Sequence, residues 1–362
     1  MLVLGIETSC DETAAAVVED GTKILSNVVA TSSEMHAKTG GIIPEQAARQ
    51  QIKSIIPVIE QSFSDAFNIK SPTTNYQLLT TKIDAIAVTI GPGLIGSLLV
   101  GVETAKTLSY LWKKPIIPVN HLAAHVYANW LEQKSKVKSQ RSNVPQFPAL
   151  ALVVSGGHTD LVLMKGHGKL TWIGGTRDDA AGEAFDKTAR LLGLPYPGGP
   201  AISKEADKFF GQLSINNHQV LKMFPRPMID ENNFDWSFSG LKTSVFRKVN
   251  GKRLKVKERQ KFSAEIQEAI VDVLVKKTLK AVNKFKPKSL FLSGGVAANK
   301  RLKEKFENRI KTEILQVIFH VPPAKLCTDN AAYIASYANF NYKPVDWRKI
   351  KANPQLTIVG ED

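Results

Sequence analysis

The chain has 362 residues, of which 43% are hydrophobic and 22% are charged. These are globular proportions, so they exclude a disordered, collagen-like or fibrous protein. The 48 Lys and Arg residues against 33 Asp and Glu residues give a formal net charge of +15. The length predicts two domains.

The cysteine content and the hydropathy of the chain further restrict the class of protein. The chain holds two cysteines, Cys10 and Cys327, which exclude a disulfide framework or a four-cysteine zinc site within one chain. We expect buried thiols instead. No run reaches the roughly 18 consecutive apolar residues of a membrane span, and the first residues lack the pattern of a secretory leader. These features predict a cytoplasmic protein that does not contact a membrane.

Two segments have the pattern of a β-hairpin. Residues 2–5 and 14–18 are short apolar runs on either side of the polar turn 7–13. A second copy of the pattern lies at residues 149–164, with its turn at residues 155–160. The repeat favours two similar lobes, each beginning with a hairpin, over one long sheet.

A strand, a glycine turn and a helix follow one another at residues 85–111 and again at residues 289–311. This succession is half of an α/β unit. Glycine turns let backbone N–H groups approach an anion, and a helix N-terminus adds a favourable dipole. Together with the turn at 155–157 they predict binding of nucleotide phosphate, although none matches the Walker or the dinucleotide pattern.

The domain organisation follows from these elements. We predict a first lobe over residues 1–145, completed by a C-terminal helix at 327–342. The second lobe spans residues 146–326 and carries an insertion at about 195–260, which is rich in Pro, Gly, Asn and aromatic residues. Residues 132–147 have the composition of a solvent loop between the lobes. The tail after Lys343 has little pattern and is left unassigned.

His121 and His125 lie four residues apart, which places both imidazoles on one helical face if the segment from Leu122 is helical. This spacing suits one divalent metal, and a pair of surface or core histidines is the alternative. A zinc peptidase requires Glu directly after the first His, where this chain has Leu122. Asp329 is the candidate third ligand, or it is only the N-cap of a helix at 330–340. Two imidazoles and a carboxylate suit Zn²⁺ or Fe²⁺.

An acidic segment at residues 178–187 predicts a helix on which Asp178, Asp179 and Asp186 recur at helical spacing. The alternative is a capped, solvated helix start. Asp186 precedes a Pro-Gly-Gly-Pro turn and could accept hydrogen bonds from a ribose or an amino-acid hydroxyl.

Positive charge is concentrated in the second half of the chain. Residues 242–261 hold nine basic residues and one acid, Glu258, and residues 276–288 hold six lysines and no acid. Such runs are usually solvated helix faces. A surplus confined to one region is also what a nucleic-acid-binding surface requires.

The motifs of the chain resemble, in order, those of the bacterial tRNA N6-adenosine threonylcarbamoyltransferase (TsaD, Gcp) family, once called the O-sialoglycoprotein endopeptidases. The resemblance runs from about residue 1 to about residue 340. The motifs that carry it are Gly5 to Thr13, Gly91 to Leu94, His121 with His125, Ser155 to Thr159, Asp178 to Lys187, Pro197 to Pro200, Phe238 to Lys242, Ser293 to Val296 with Asn299, and Cys327 to Asn330.

The resemblance implies an α/β fold of the actin-like, ASKHA ATPase type, with two lobes around a central cleft. It implies transfer of threonylcarbamoyl from threonylcarbamoyl-AMP to N6 of the adenosine 3′ of the anticodon, in tRNAs that read codons beginning with A. It also implies a TsaB-like paralogue and a TsaE-like ATPase as bacterial partners, and ATP with Mg²⁺ as a further cofactor in the cleft.

The resemblance also assigns residues. It implies that His121, His125 and Asp329 hold the metal. Substrate or nucleotide contacts carry over to Val153, Val154, Ser155, Gly156, Gly157, Asp186, Gly199 and Asn299. The chain departs from the family pattern at Ala123, where many members carry Glu, and at Ser203, where several carry Asp. The second departure bears on ribose recognition.

The residues themselves suggest further roles and rival functions. Asp11 or Glu12, in the first hairpin turn, could orient or deprotonate the attacking amine. A kinase of the same fold that uses ATP and Mg²⁺ is the enzymatic alternative, since fold alone does not decide function. An ATP-switched scaffold is the non-enzymatic alternative.

Overall fold

The computed structural model describes residues 1–32, 35–36, 39–69, 80–132, 144–211, 222–313 and 315–360. The chain divides into two compact units. The first unit consists of Met1–Pro145, Lys165–Leu170 and Pro322–Asp362, and the second unit consists of Gln146–Met164 and Thr171–Val321. Most of the predicted loop at 132–147 lies outside the described residues. No helix of the described ranges is long and apolar enough to cross a bilayer.

Ten strands and ten α-helices are described. The strands are β1 Leu2–Glu7, β2 Glu12–Glu19, β3 Lys23–Thr31, β4 Ala85–Gly91, β5 Ile116–Asn120, β6 Ala149–Val154, β7 Thr159–Gly166, β8 Lys169–Gly175, β9 Ser289–Ser293 and β10 Ile318–His320. The helices are α1 Pro44–Phe67, α2 Ile95–Trp112, α3 His121–Tyr127, α4 Ala181–Leu191, α5 Gly198–Gly211, α6 Ser239–Val249, α7 Val256–Phe285, α8 Lys300–Thr312, α9 Ala324–Cys327 and α10 Ala332–Phe340.

The first sheet has the strand order β3-β2-β1-β4-β5. β1 pairs antiparallel with β2 and parallel with β4, and β4 pairs parallel with β5. Because successive side chains of a strand point to opposite faces, Leu4 and Ile6 pack with α1 and α2, whereas Val3 packs with α10 on the other face. Burial on both faces explains the nearly continuous apolar runs.

The second sheet repeats this order as β10-β9-β6-β7-β8. β6 pairs antiparallel with β7 and parallel with β9, which in turn pairs parallel with β10. The central hairpin and the parallel strand beside it therefore recur in both sheets. The repeat predicted from the two hairpin patterns is confirmed.

The predicted strand–turn–helix units are also confirmed, with α2 and α8 following β4 and β9. The helix predicted over residues 178–187 is wrong at its start, because α4 begins at Ala181. Asp178 instead accepts hydrogen bonds from Ser237 Oγ, Ser239 Oγ and Phe238 N at the start of α6. The carboxylate thus caps a helix about 60 residues away, which local spacing does not reveal.

The tail left unassigned in the sequence runs along the β5 edge of the first sheet, from the start of that strand to its end. Val345 N donates to Ile116 O at 3.0 Å, and Asn353 N donates to Ile90 O at 2.7 Å. Asn120 Nδ2 donates to Thr357 O at 2.6 Å. These irregular backbone contacts hold the tail against the ends of β4 and β5, next to the start of α3.

Candidate functional sites

The two histidines of the first unit lie on α3, directly after β5. Asn120 caps this helix, since its Oδ1 accepts from Ala123 N at 3.0 Å. His121 is the first helical residue and His125 lies one turn later, so both imidazoles point the same way. Their Nε2 atoms are 3.2 Å apart, and both side chains are buried.

Asp329 completes a group of three donors. Its Oδ1 lies 3.6 Å from His121 Nε2 and 3.4 Å from His125 Nε2. The three ligand atoms lie within 4.8 Å of one another. The cap of α10 is supplied by Asn330, whose Oδ1 accepts from Ala332 N at 3.0 Å, so the Asp329 carboxylate faces the imidazoles.

Glu7 orients the first imidazole from the end of β1. His121 Nδ1 is 3.0 Å from Glu7 Oε2, which also accepts from Thr89 Oγ1 at 2.6 Å. The second oxygen, Glu7 Oε1, accepts from Ser9 N at 2.5 Å. A hydrogen bond donated by Nδ1 leaves the lone pair of His121 on Nε2, which faces the other two donors. The sequence placed Glu7 in the hairpin turn but gave it no role.

The ionisable side chains of this group shift one another's pKa values. Burial lowers the pKa of His121, but the carboxylates of Glu7 and Asp329 outweigh it and raise this pKa to about 9. Burial lowers the pKa of His125, and the neighbouring His121 lowers it further. Burial raises the pKa of Asp329, but His121 and His125 bring it down to about 2. Two carboxylates therefore face one imidazolium in the metal-free protein.

The donor set fits a divalent metal. Two imidazole nitrogens and one carboxylate oxygen converge, and Tyr333 Oη lies 3.4 Å from both His125 Nε2 and Asp329 Oδ1. Lone pairs of buried nitrogens 3.2 Å apart repel each other unless a proton or a cation lies between them. Three protein ligands leave coordination positions open for a substrate.

We expect Glu7→Gln to weaken metal affinity about 10- to 100-fold, the usual effect of removing such a supporting group. Glu7 accepts three hydrogen bonds, and the amide NH₂ of Gln would face one of those donors. Competition with a coloured chelator measures the affinity. The control is Glu45→Gln, an exposed residue of α1 that pairs with Arg49. Equal affinity of both variants and the parent would show that Glu7 does not support the ligand.

The other candidate side chains of this unit are Asp11, in the turn between β1 and β2, and Glu12, the first residue of β2. Burial raises the pKa of Glu12 to about 10, with Asp329 and Asp11 adding to the shift. Gln51 of α1 fixes the turn, because its Nε2 lies 3.1 Å from Cys10 O and 2.9 Å from Glu12 O. Nothing in the sequence indicated that Gln51 has this role, although its polar side chain is buried.

In the second unit the turns after β6 and β9 lie side by side. Gly294 has φ +89° and packs against the backbone of Val154. Ser155 N donates to His158 O at 2.9 Å, which closes the hairpin turn. A Cβ added at Gly156, Gly157 or Gly295 would meet nothing within 4 Å. Their backbones therefore face open space at the carboxyl ends of two parallel strands, where α/β sheets bind ligands.

The other residues of this unit that were predicted to contact substrate or nucleotide differ in how far they are exposed. Asp186 Oδ1 accepts from Gly198 N at 2.7 Å, and burial raises its pKa. Gly199 lies in the first turn of α5, so the helix begins within the predicted Pro-Gly-Gly-Pro turn, and a Cβ added at Gly199 would meet nothing within 4 Å. Val153 and Val154 are fully buried in β6, where they pair with β7, and Val153 also pairs with β9.

The side chain of Asn299 is already engaged. Its Oδ1 caps α8 by accepting from Leu302 N at 3.0 Å. Its Nδ2 donates to Ser203 Oγ and to Gln267 Oε1, each at 3.0 Å. Ser203 also donates to Gln267 Oε1 at 2.7 Å. A ligand contact by Asn299 or Ser203 would therefore exchange one of these bonds.

Solved structures share this fold at low sequence identity. Component A of the (R)-2-hydroxyglutaryl-CoA dehydratase of Acidaminococcus fermentans has a TM-score of 0.50 at 14% identity, covering 94% of this chain and 98% of that chain. HypF of T. kodakarensis has a TM-score of 0.57 at 14% identity, covering 94% of this chain and 47% of that chain. The two similar sheets and these structures define an α/β protein of the actin-like ASKHA class, which confirms the predicted fold class.

Sequence comparison identifies the family within this class. The model of the tRNA N6-adenosine threonylcarbamoyltransferase (TsaD) family matches residues 23–336. The tRNA N6-adenosine threonylcarbamoyltransferase of Syntrophomonas wolfei is 46% identical, covering 99% of this chain and 98% of the relative. That of Geobacillus thermodenitrificans is 44% identical, covering 99% and 97%. The chain belongs to the TsaD family of tRNA N6-adenosine threonylcarbamoyltransferases. The predicted transferase class and the predicted action on tRNA are confirmed.

Proposed function

We propose that this chain transfers the threonylcarbamoyl group of threonylcarbamoyl-AMP to N6 of the adenosine 3′ of the anticodon, in tRNAs that read codons beginning with A. The amine nitrogen bonds to the carbamoyl carbon, the bond from that carbon to the phosphate oxygen breaks, and AMP leaves. The proton of the amine passes to the released phosphate or to solvent. The observation that carries the proposal is the convergence of His121, His125 and Asp329 in a chain of this family.

The reaction requires positioning and charge stabilisation rather than a protein nucleophile. An acyl adenylate brings its own leaving group, so the site must hold the carbonyl and stabilise the negative charge that develops on it. A Zn²⁺ or Fe²⁺ ion held by the two imidazoles and the carboxylate would supply a Lewis acid for a carbonyl or phosphate oxygen. Glu7 keeps the Nε2 lone pair of His121 aimed at that position.

The second unit would bind the adenylate. The open space beside Gly156, Gly157 and Gly199 would let phosphate or carbonyl oxygens approach the backbone N–H groups at these positions. Asp186 lies beside Gly198 at the start of α5, and its carboxylate could accept from a ribose hydroxyl. We assign Val153, Val154 and Ser155 backbone contacts, and Asn299 the support of Ser203.

The first hairpin turn would orient the attacking amine. Burial and the nearby Asp329 raise the pKa of Glu12 to about 10, so Glu12 holds a proton at neutral pH in the metal-free protein. A bound cation would favour its ionised form. An exocyclic amine is too weakly acidic to lose its proton before attack. We therefore assign Glu12, with Asp11, a hydrogen-bonding role toward the amine rather than that of a strong base.

We further propose that a TsaB-like paralogue and a TsaE-like ATPase assist the reaction. Exposed aliphatic side chains on the adjacent helices α1 and α2 favour a protein partner at this place: Ile52, Ile56, Ile95 and Leu99. We also propose that ATP with Mg²⁺ binds at the glycine turns of the second unit. The kinase alternative is less favoured, because a pair of imidazoles suits Zn²⁺ or Fe²⁺ whereas Mg²⁺ prefers oxygen ligands.

The decisive experiment incubates the purified chain with threonine, bicarbonate, ATP, the synthase that makes the adenylate, and unmodified tRNA. Reactions with and without the two partner proteins run in parallel. Mass spectrometry of digested nucleosides is expected to show N6-threonylcarbamoyladenosine and release of AMP. Nucleotide-dependent partner binding without any modified nucleoside would favour the scaffold function instead.

A further inference from the structure

We infer that the exposed cations of the turn between α6 and α7 form the surface that contacts the phosphodiester backbone of tRNA. This inference rests on the proposed function. We call the surface the basic turn. It consists of Arg247, Lys248, Lys252, Arg253, Lys255 and Lys257.

The positive charges of the basic turn are not paired with carboxylates among the described residues. All six side chains are exposed, and none of them forms an ion pair within the described part of the chain. The acid of this segment, Glu258, is occupied at the start of α7, where its Oε2 accepts from Lys255 N at 3.0 Å. A neighbouring lysine, Lys242, pairs with Asp179 at 2.9 Å and is therefore not counted with the six.

In the second lysine run of the sequence, Lys276, Lys277, Lys280 and Lys284 contact other protein groups, whereas Lys286 and Lys288 are exposed and form no ion pair among the described residues. Lys276 pairs with Asp230 at 2.6 Å, and the buried Lys277 donates to Asn233 Oδ1 and Asp235 O, each at 2.6 Å. Lys280 Nζ donates to Glu231 O at 3.1 Å, and Lys284 lies 5.3 Å from the ring centroid of Phe234. These contacts hold the segment 230–235 against α7.

The structure therefore distinguishes the two basic runs, which the sequence alone left as equal candidates for binding a polyanion. Binding of a polyanion releases counterions when free cations meet phosphates, whereas a lysine that already contacts a carboxylate, a carbonyl oxygen or an aromatic ring of the protein gains less. The six cations of the basic turn lie on the end of α6, the short connection and the first turn of α7, so they are close to one another along the chain. Such a cluster suits the backbone of a folded RNA more than a sequence-specific contact.

The test compares two triple variants that remove equal charge. The first is Lys252→Ala, Arg253→Ala and Lys257→Ala in the basic turn, and it leaves Lys255 at the start of α7 intact. The matched control is Lys276→Ala, Lys280→Ala and Lys284→Ala. The dissociation constant of full-length unmodified tRNA is measured with the full chain at salt concentrations from about 50 to 200 mM.

We expect the basic-turn variant to bind tRNA at least about tenfold more weakly at the lowest salt. The slope of log affinity against log salt should fall by about two to three, roughly one for each lost phosphate contact. The control variant should keep the slope of the parent. An unchanged slope in the basic-turn variant, an equal loss in the control, or no measurable tRNA binding by the parent would overturn the inference.

Two further measurements separate this inference from the proposed function. At saturating tRNA the basic-turn variant should still form the modified nucleoside, with the defect confined to the KM for tRNA. If the parent binds tRNA with the expected slope but never forms the nucleoside, the proposed function fails and the surface stands. Binding of the basic turn to phosphatidylglycerol vesicles in preference to tRNA at the same salt would assign the surface to lipid and overturn the inference.

Discussion

Replacing His125 with alanine is expected to abolish formation of the modified nucleoside and to remove stoichiometric metal binding. In the proposed metal site this imidazole is one of three protein ligands, and it is fully buried. Loss of a Lewis acid removes several kcal/mol of charge stabilisation, which corresponds to about a thousandfold or more in rate. His121→Ala should have the same effect. Metal content by elemental analysis and nucleoside formation by mass spectrometry are the two measurements.

A buried substitution can also destabilise the fold, so the wild-type chain provides the second arm. Removal of the metal with a chelator should stop turnover, and addition of Zn²⁺ or Fe²⁺ should restore it while the His125 variant stays inactive. The control is His320→Ala, which removes a partly buried imidazole on β10, 5.4 Å from the ring of Phe291. Full activity of the metal-stripped wild-type chain would contradict the role given to the three ligands.

Local patterns of the sequence were sufficient for the central strands and the helices that follow them. A buried strand needs a run of apolar residues, and a reversal between two such runs needs a polar turn, so both hairpins could be predicted. The spacing of His121 and His125 is also local, because four residues make about one helical turn. These features depend on neighbours in the chain and not on the rest of the molecule.

Contacts between distant segments could not be predicted from the sequence. Glu7 and His121 meet across 114 positions because β1, β4 and β5 pair side by side, and nothing in the sequence fixes that pairing. The same holds for Asp178, which caps α6 rather than its own helix. It also holds for Asp329, which the sequence left open as a metal ligand or a helix N-cap and which lies beside His121 and His125.

The C-terminal tail shows a second reason why part of the fold could not be predicted from the sequence. It has neither helical nor strand periodicity, yet Ile350 and Ile358 are buried and Asn353 donates to the end of β4. Irregular segments of this kind satisfy their backbone groups through individual contacts, each specified by its partner rather than by a repeating pattern. Periodicity therefore gives no information about them.

Replacing Gly182 with alanine is the second substitution for which we expect a large effect. Gly182 lies in the first turn of α4 and donates from its N–H to Ser155 O at 3.2 Å. An added Cβ would lie 2.7 Å from Gly156 Cα and 2.9 Å from Ser155 C, with the Ser155 carbonyl oxygen closer still. All of these are backbone atoms, so relief requires the turn at 155–157 to move away from α4.

Overpacking of this kind costs about 1–3 kcal/mol, and here the strain falls on the turn proposed to bind the adenylate. We expect binding of a non-hydrolysable threonylcarbamoyl-AMP analogue, measured by calorimetry, to weaken at least about tenfold. Metal affinity, a property of the first unit, should not change. Gly211→Ala is the matched control, because a Cβ there meets nothing within 4 Å. If Gly182→Ala lowered the melting temperature but bound the analogue normally, the turn at 155–157 would not be the adenylate site, whereas a selective loss of analogue binding would support the division of roles between the two units.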